Sequence, residues 1–492
     1  MSTEVKWGIL SCAGIAAKVC VAIAEASNAK VVAVASRDKA KAETFAAANC
    51  AGAKAYGSYE ELLDDEEVQV VYIPLPTALR MNWVCKAAAK KKHILMEKPI
   101  AGNTRDTLQI ISACKAAGVQ LMDNTMFMHC PRLEAVKKVI SDKEAFGTPS
   151  SVTAAFSIPC AADETDWKNN NIRMKKALEP LGALGDLGWY CMRVILWAYD
   201  FAQPEAVSCH FIDETSEGVP TRVTATLKFP NARIATFECS FLHSWRQWFE
   251  VTSEKKSLRI EDFVLPAKLD SVDFAVYEGK VAEKDLTISV DAVGKESLPA
   301  RPQHTLLVEK MSSIALSGEL EEKWPEMSKQ TQLLLMALVS SARQQGSWVN
   351  PKEPSVKGKG SGKGAGKAEV AVKKANFSTV DKINPDTKGL NLQVKVVSVT
   401  PNTQTSSPSC TAVVGDASGV VKLIGKGDAQ LEILKEGASL QLRNASVKMD
   451  KGYISIQVDK WGKMEVAAEE YDFYPKLDTD VSSVEYELVW ER

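Results

Sequence analysis

Between Val5 and Asp123, short β-branched runs alternate with Ala-rich stretches of helix length: Val31-Val32-Ala33-Val34-Ala35, Val70-Val71-Tyr72-Ile73, His93-Ile94-Leu95-Met96 and Val119-Gln120-Leu121-Met122. Apolar strands separated by helix-sized segments are βαβ grammar and predict a doubly wound parallel sheet. A helix is expected to start after Pro131. Beyond about Pro149 the pattern changes to long alternating runs, Thr221 to Phe229 and Arg233 to Phe241, with Pro230-Asn231 as the hairpin turn between them. This predicts an α+β domain with a large, mainly antiparallel sheet. One helix is expected near Asp186, carrying Trp189, Tyr190, Arg193 and Trp197 at helical spacing. A further pair is expected at His304 to Leu316 and Ser328 to Arg343.

Between Pro351 and Ala375 the pattern stops. Seven Lys stand against two Glu, with the run Lys357-Gly358-Lys359-Gly360-Ser361-Gly362-Lys363-Gly364, a composition that buries no core and reads as an extended tether. After it, Leu390 to Thr400, Cys410 to Val414, Val420 to Ile424, Ser439 to Leu442 and Tyr453 to Val458 predict five short strands, an all-β barrel of OB type. The expected division is therefore 1–125 as a doubly wound domain of Rossmann type and 126–348 as an α+β domain. A linker follows over 349–375, and an OB-like domain over 376–492.

Composition narrows the function classes. The whole chain of 492 residues carries 60 Lys+Arg and 62 Asp+Glu, a net charge of −2, so no global field draws it to nucleic acid or an anionic membrane. Eleven Cys without paired CxxC spacing and five scattered His signal neither a disulfide framework nor a metal site. The start, Met1-Ser2-Thr3-Glu4-Val5-Lys6, has no secretory pattern, and no stretch reaches the ~18 apolar residues of a membrane span. A cytoplasmic location is expected.

The first strand ends in Gly8-Ile9-Leu10-Ser11-Cys12-Ala13-Gly14-Ile15-Ala16, where small residues take places that a dinucleotide fingerprint gives to glycine, so that backbone N–H groups approach a pyrophosphate. After the second strand, Ser36-Arg37 stands where an NAD enzyme places an acid on the ribose hydroxyl. A hydroxyl and a guanidinium there favour the phosphate of NADP, with NAD as the alternative. The simpler reading makes Ser36 a helix cap. Two later strand ends deliver Ile73-Pro74-Leu75-Pro76-Thr77 and Met96-Glu97-Lys98-Pro99, where ligands of open α/β sheets bind.

These motifs, in this order, resemble the glucose-fructose oxidoreductase/inositol dehydrogenase (Gfo/Idh/MocA) family over about residues 5 to 345, with dihydrodiol and D-xylose dehydrogenases as similar members. The segments Tyr56 to Asp65 and Leu181-Gly182-Ala183-Leu184-Gly185-Asp186-Leu187-Gly188-Trp189-Tyr190-Cys191 resemble uncharacterised plant oxidoreductases of that family. The resemblance implies that Lys98 serves catalysis and cofactor placement, that strain of the cis kind accompanies Pro99, and that Tyr190 takes the acid/base place held elsewhere by histidine. Asp186, four residues before Tyr190 and so on one helix face, is the third catalytic candidate, with helix capping as its alternative. A phenol with a pKa near 10 needs a cation to work near neutrality, which Lys98 would supply. The implied cofactor-binding residues are Ser11, Cys12, Ala13, Gly14, Ile15, Ser36, Arg37, Pro74, Leu75, Pro76, Glu97, Lys98 and Arg173. Asn124 and Phe127, with His129 and Arg132 beside them, resemble a cleft-lining segment of relatives. Trp245 and Trp248 are candidates for stacking a sugar or for a subunit interface, since relatives commonly pair through this sheet as homodimers.

From Phe377, the segments Val380-Asp381-Lys382-Ile383, Gly415-Asp416-Ala417-Ser418-Gly419, Leu442-Arg443-Asn444-Ala445 and Val458-Asp459-Lys460-Trp461-Gly462 resemble plant OB-fold proteins related to single-stranded DNA-binding sensor subunits. Residues 376–492 hold 13 Lys+Arg against 17 Asp+Glu, a net of −4, and offer only Tyr453 and Trp461 in the central strands, so the stacking platform and basic groove of such binding are thin. The expected function is an NADP-dependent oxidoreductase moving hydride to or from a sugar, polyol or cyclic diol. The alternative is a noncatalytic NADP-sensing regulator with the OB domain as a single-stranded nucleic-acid arm. An OB domain serving as a protein-interaction scaffold is the third reading.

Overall fold

The computed structural model describes residues 3–492 apart from 161–170, 283–286, 352–376, 386, 388, 403–407, 451, 460–461, 468–470, 472, 474 and 487–492, and apart from the side chains of 281, 282 and 287. The lysine-glycine run and Trp461 lie outside the described residues. Two compact units result, Met1–Gly358 and Lys359–Arg492.

In the first unit, β1 (Val5–Leu10), α1 (Gly14–Glu25), β2 (Ala29–Ala35), α2 (Lys39–Asn49), β3 (Lys54–Tyr56), α3 (Tyr59–Asp64), β4 (Val70–Ile73), α4 (Thr77–Ala89), β5 (His93–Met96), α5 (Thr104–Ala117) and β6 (Leu121–Asp123) alternate without exception. The six strands are parallel in the order β3-β2-β1-β4-β5-β6, so the chain reverses direction between β1 and β4 and opens a crevice at their C-terminal ends. β4 is buried at every position, as helices on both faces require. Turn chemistry marks the boundaries. Asn103 caps α5 through Asp106 N, and Gly118 ends that helix at φ 67°, a left-handed conformation that glycine adopts freely.

After α6 (Pro131–Ser141), β7 (Ser151–Ser157) opens a second sheet, and α7 (Trp189–Ala198) then packs on β7 and on one later strand. β8 (Ala206–Glu214), β9 (Pro220–Lys228), β10 (Ile234–Ser240), β11 (Arg246–Thr252), β12 (Ser257–Ile260), β13 (Ser271–Ala282) and β14 (Thr287–Pro299) complete eight strands in the order β14-β13-β12-β11-β7-β10-β9-β8. All pairs are antiparallel except β7–β10, so the sheet is mixed at its centre. The β9–β10 turn places Asn231 at φ 64° and Ala232 at φ 58°, two left-handed residues in succession, as a twist-matched hairpin needs. α8 (Gln303–Ser317) and α9 (Lys323–Arg343) then return to the first sheet, against α1 and β6 respectively.

The second unit holds β15 (Leu390–Pro401), β16 (Ser409–Asp416), β17 (Gly419–Lys426), α10 (Asp428–Ile433), β18 (Ser439–Asp450), β19 (Tyr453–Gln457) and β20 (Lys463–Val466). The order β15-β16-β17-β19-β18 closes through β15–β18 pairing, a five-stranded barrel around Leu392, Val394, Val414, Leu423, Leu440 and Ile456. β20 is a sixth strand, added on β18. Its alternation is hidden by the charged Lys463 and Glu465, the usual protection of an edge strand.

Candidate active site

The crevice between the C-terminal ends of β1 and β4 begins with backbone. Ser11 leaves β1 at φ 135°, a region that glycine enters and L-residues seldom do, so the residue standing in a glycine place also takes a glycine conformation. Ala13 is extended and leads into α1 without a side-chain cap, and the first turn carries no acid. At Gly14 a Cβ would meet no protein atom within 4 Å. The uncapped N–H groups of α1 therefore face open space at the positive end of the helix, which fits a pyrophosphate. Cys12 contributes differently from expectation. Its thiol turns to the Lys41 carbonyl at 3.7 Å, toward α2.

Ser36 lies buried at the end of β2, its Oγ accepting from Asp38 N at 3.3 Å. The cap of α2 is Asp38, whose carboxylate accepts from the N–H groups of Ala40 and Lys41 at 3.0 and 3.4 Å. The acid at this strand end is thus committed to the helix. Arg37 remains exposed beside the Ser36 hydroxyl.

A cavity of about 250 Å³ continues from Ala13, Gly14 and Ile15 past Pro74, Leu75 and Pro76 to Glu97, Lys98, Arg173 and Asp186. The Lys98–Pro99 peptide is cis. Lys98 Nζ donates to Asp186 Oδ1 at 2.5 Å and to the Asp186 carbonyl at 2.9 Å, and Arg173 Nε donates to Asp186 Oδ2 at 2.5 Å. One carboxylate thus joins two cations at the inner end of the cavity. Burial opposes its charge, but Lys98 and then Arg173 hold the Asp186 carboxyl well below the usual carboxylate range. Burial likewise opposes the Lys98 ammonium, which Asp186 and then Tyr190 nevertheless keep above the ordinary lysine value.

Glycines bring Asp186 there. Gly182 stands at φ 45° with a Cβ position 2.2 Å from the Pro220 carbonyl oxygen, and at Gly185 a Cβ would lie 3.3 Å from the Pro99 ring. The helix already runs at Gly182 and widens into a π turn over Leu184–Gly188 before α7. Asp186 therefore sits inside a helix, and the capping alternative does not hold. A π turn loosens the regular backbone ladder, and here the Asp186 carbonyl accepts from a lysine.

Tyr190 lies behind this pair, outside the lining of the cavity. Lys98 Nζ sits 4.8 Å from its ring centroid, but its hydroxyl meets Met126 Sδ at 3.7 Å. Burial pushes the phenol to about 12 against the pull of Lys98. Lys98 does pull the phenol down, as expected of a nearby cation, but burial outweighs that pull, and Glu97 and Asp186 add to the rise. Asn124 and Phe127 do not line the cavity. Asn124 donates to Glu97 Oε1 at 2.7 Å, beside the Tyr72 hydroxyl at 2.6 Å, and Phe127 packs edge-on against Phe263 and tilted against Tyr190. Both support the floor of the site. His129 stacks on Trp324, and Arg132 pairs with Asp262 at 2.5 Å, away from the cavity. Four further lining residues, Arg80, Ile172, Glu179 and Gly182, escaped sequence reasoning. The signal for Arg80 was a charge on the buried face of α4, otherwise Thr77, Val84, Ala87 and Ala88.

A doubly wound sheet with a fingerprint loop and a buried charge cluster at one crevice defines a dinucleotide-dependent oxidoreductase. Residues 5–125 match the family model described as oxidoreductase family, NAD-binding Rossmann fold, and residues 133–259 match the GFO/IDH/MocA C-terminal domain. The chain is 34% identical over 247 residues to D-xylose 1-dehydrogenase (NADP(+)) 2 of Haloferax volcanii, covering 50% of this chain and 72% of that protein. It is 30% identical over 292 residues to dTDP-3,4-didehydro-2,6-dideoxy-alpha-D-glucose 3-reductase of Saccharopolyspora spinosa, covering 58% and 83%, and 30% identical over 262 residues to trans-1,2-dihydrobenzene-1,2-diol dehydrogenase of Sus scrofa, covering 52% and 74%. This protein belongs to the GFO/IDH/MocA oxidoreductase family. Its fold matches a 3-ketoreductase from Actinomadura kijaniata solved with NADP and TDP-benzene, at TM-score 0.61 and 24% identity over 69% of this chain and 98% of that one. Residues 383–466 match the family model described as single-stranded DNA binding protein Ssb-like, OB fold.

Proposed function

We propose that this oxidoreductase transfers hydride between NADP and a secondary alcohol or carbonyl carbon of a sugar, polyol or cyclic diol, with Lys98, Asp186 and Tyr190 as its catalytic residues. The observation that carries the reading is the Lys98–Asp186–Arg173 charge chain at the end of a cavity that starts on the fingerprint loop. Relatives named for NADP, for xylose, for a deoxy-sugar nucleotide and for a dihydrodiol support cofactor and substrate class. Ser36, Arg37 and the uncapped start of α1 would hold the cofactor's phosphates, and Glu97, Lys98 and Arg173 would flank its nicotinamide. When bound, the nicotinamide supplies the hydride acceptor or donor.

The protein's part is to place charge and a proton. Because Arg173 also holds Asp186, Lys98 can turn its ammonium to a substrate oxygen without leaving that carboxylate unpaired. Lys98 then stabilises developing negative charge on the oxygen. Tyr190 is protonated at neutral pH, so in the reducing direction its hydroxyl gives the proton. In the oxidising direction Lys98, released from Asp186, lowers the phenol toward the range of a base. The test is NADP reduction by purified protein across aldoses, polyols and cyclic diols. Turnover on at least one class supports the reading. NADP binding without turnover on any would return it to a sensing regulator, which nothing in the site favours.

Two further expectations belong to this proposal. The outer face of the eight-stranded sheet, where Trp248 lies half-buried beneath Arg259 beside Thr153, Glu238 and Arg246, would pair two copies, which light scattering measures. Eleven unpaired thiols suit a reducing compartment such as the cytoplasm, and among the described residues no helix is long and apolar enough to cross a membrane. On the OB barrel, the half-open and exposed positions of β16 and β17 are Ser409, Thr411, Val413, Lys422, Ile424 and Lys426, with no aromatic among them, so stacking of single-stranded bases has little support there.

A further inference from the structure

The buried face of α4 carries one residue that does not belong in an apolar stripe. Arg80 is 3% exposed, and a buried guanidinium destabilises the fold unless hydrogen bonds and opposite charge compensate it. Its partners are specific. Nε donates to the Leu75 carbonyl at 2.5 Å, Nη1 donates to the Pro99 carbonyl, and Nη2 lies 3.7 Å from Glu179 Oε1. Glu179 in turn accepts from Thr77 N at 2.9 Å and from Thr77 Oγ1 at 2.5 Å, so it closes the start of α4, which has no side-chain cap of its own.

The two carbonyls lie in different loops. Leu75 belongs to the turn after β4 and Pro99 to the turn after β5, and both turns line the cavity. Those turns meet at their strand ends, where Glu97 N donates to the Ile73 carbonyl at 3.3 Å. Arg80 adds a second tie one residue beyond Lys98. A planar fork with fixed donor directions holds two acceptors at a set separation, whereas a lysine ammonium acts as a point charge on a flexible stem. We infer that Arg80 is a positioning residue that ties the Pro74–Pro76 turn to the Lys98–Pro99 turn, so fixing the backbone from which Lys98 reaches Asp186 and the cavity wall on which the cofactor rests. The inference rests on the reading of this cavity as the NADP site.

Three readouts on the full-length protein test it: hydrogen–deuterium exchange over residues 96–101 without cofactor, NADPH affinity by fluorescence, and kcat against substrate KM. In Arg80→Lys the tie inference predicts exchange over 96–101 faster by about tenfold and NADPH binding weaker by about tenfold, the size of losing hydrogen bonds from a charged donor. It also predicts a fall in kcat with substrate KM within about threefold. Arg80→Met should exceed Arg80→Lys in each. Should neither fold, Glu179→Gln removes the ionic partner while its amide oxygen still accepts from Thr77, and a smaller shift of about threefold in the same direction is expected. A purely structural Arg80 would lower the unfolding midpoint yet leave exchange at 96–101, NADPH affinity and kcat of the folded protein at wild-type values, and that result overturns the inference. A wild-type protein that binds neither NADPH nor NADH overturns the cofactor reading instead, and the exchange data then still decide whether Arg80 ties the two turns.

Discussion

The units Met1–Gly358 and Lys359–Arg492 differ most in where they keep charge. The first buries Arg80, Lys92, Lys98, Asp123, Arg132 and Arg193, whereas the described residues of the second bury one charged side chain, Asp416, which accepts from Val380 N and Ser418 N within the barrel. Buried ions are costly and are kept where they are paired or used. Even within the first unit two kinds are distinguishable. Arg193 and Asp123 pair at 2.8 Å with Ser328 and Thr331 around them and line no described cavity, so they fasten α7 and α9 to β6. Lys98 and Asp186 pair at the wall of a crevice. The same chemistry is structural when sealed and a candidate for catalysis when a cavity reaches it, and a barrel without such a cluster identifies a fold more than a function.

Removing the charge at the crevice should have the largest effect. Lys98→Met leaves Asp186 with Arg173 alone and should lower kcat by about a thousandfold, with NADPH affinity changed far less, since charge placed for the reacting oxygen contributes on that scale. The pH profile sharpens the comparison. Asp186 is held below its unfolded value, so its stabilisation is present above about pH 4 and is lost as pH falls through the folded value. The stability gap between wild type and Lys98→Met, about 2 kcal/mol at neutrality, should therefore close below pH 4 in denaturant titrations. An equivalent Arg193→Met variant should lose stability but keep the kcat of its folded fraction.

Backbone substitutions come next. Gly182→Ala puts a methyl against the Pro220 carbonyl at a left-handed residue and should destabilise by about 2 kcal/mol, read from urea midpoints. Ser11→Gly relieves a glycine-type conformation and should raise stability by about 1 kcal/mol with NADPH affinity kept. The smallest effect is expected from the second unit. A chain ending at Gly358 should turn over at the full-length rate, and the intact protein should bind oligothymidylate weakly and only at low salt. Saturable binding at physiological salt would break the contrast between the units.

Much of this was legible in sequence because it is local. Strand and helix alternation, the hairpin at Pro230-Asn231, and the arrival of Lys98 at a strand end all follow from period and turn chemistry. What was hidden depends on contacts across the chain. The π turn at Leu184–Gly188 arises where three glycines let a helix close on Pro99, Pro220 and Cys239, which spacing alone presents as an ordinary helix. Arg80 is informative only through the carbonyls it reaches, and backbone acceptors leave no letter in the sequence. Asn124 resembles a cleft-lining residue of relatives, yet its amide serves Glu97 beneath the cavity. Spacing pairs Tyr190 with its cation, but the burial that pushes the phenol up to about 12 against Lys98 emerges only from the packed site.

The most direct test sets NADPH binding beside turnover for wild type, Lys98→Met and Tyr190→Phe on any sugar, polyol or diol that the wild type accepts. The account predicts that all three bind NADPH within about tenfold of one another while kcat falls by about a hundredfold or more in each variant, the usual weight of a positioned acid or charge. Variants that bind NADPH and turn over at the wild-type rate would place the chemistry elsewhere and contradict it.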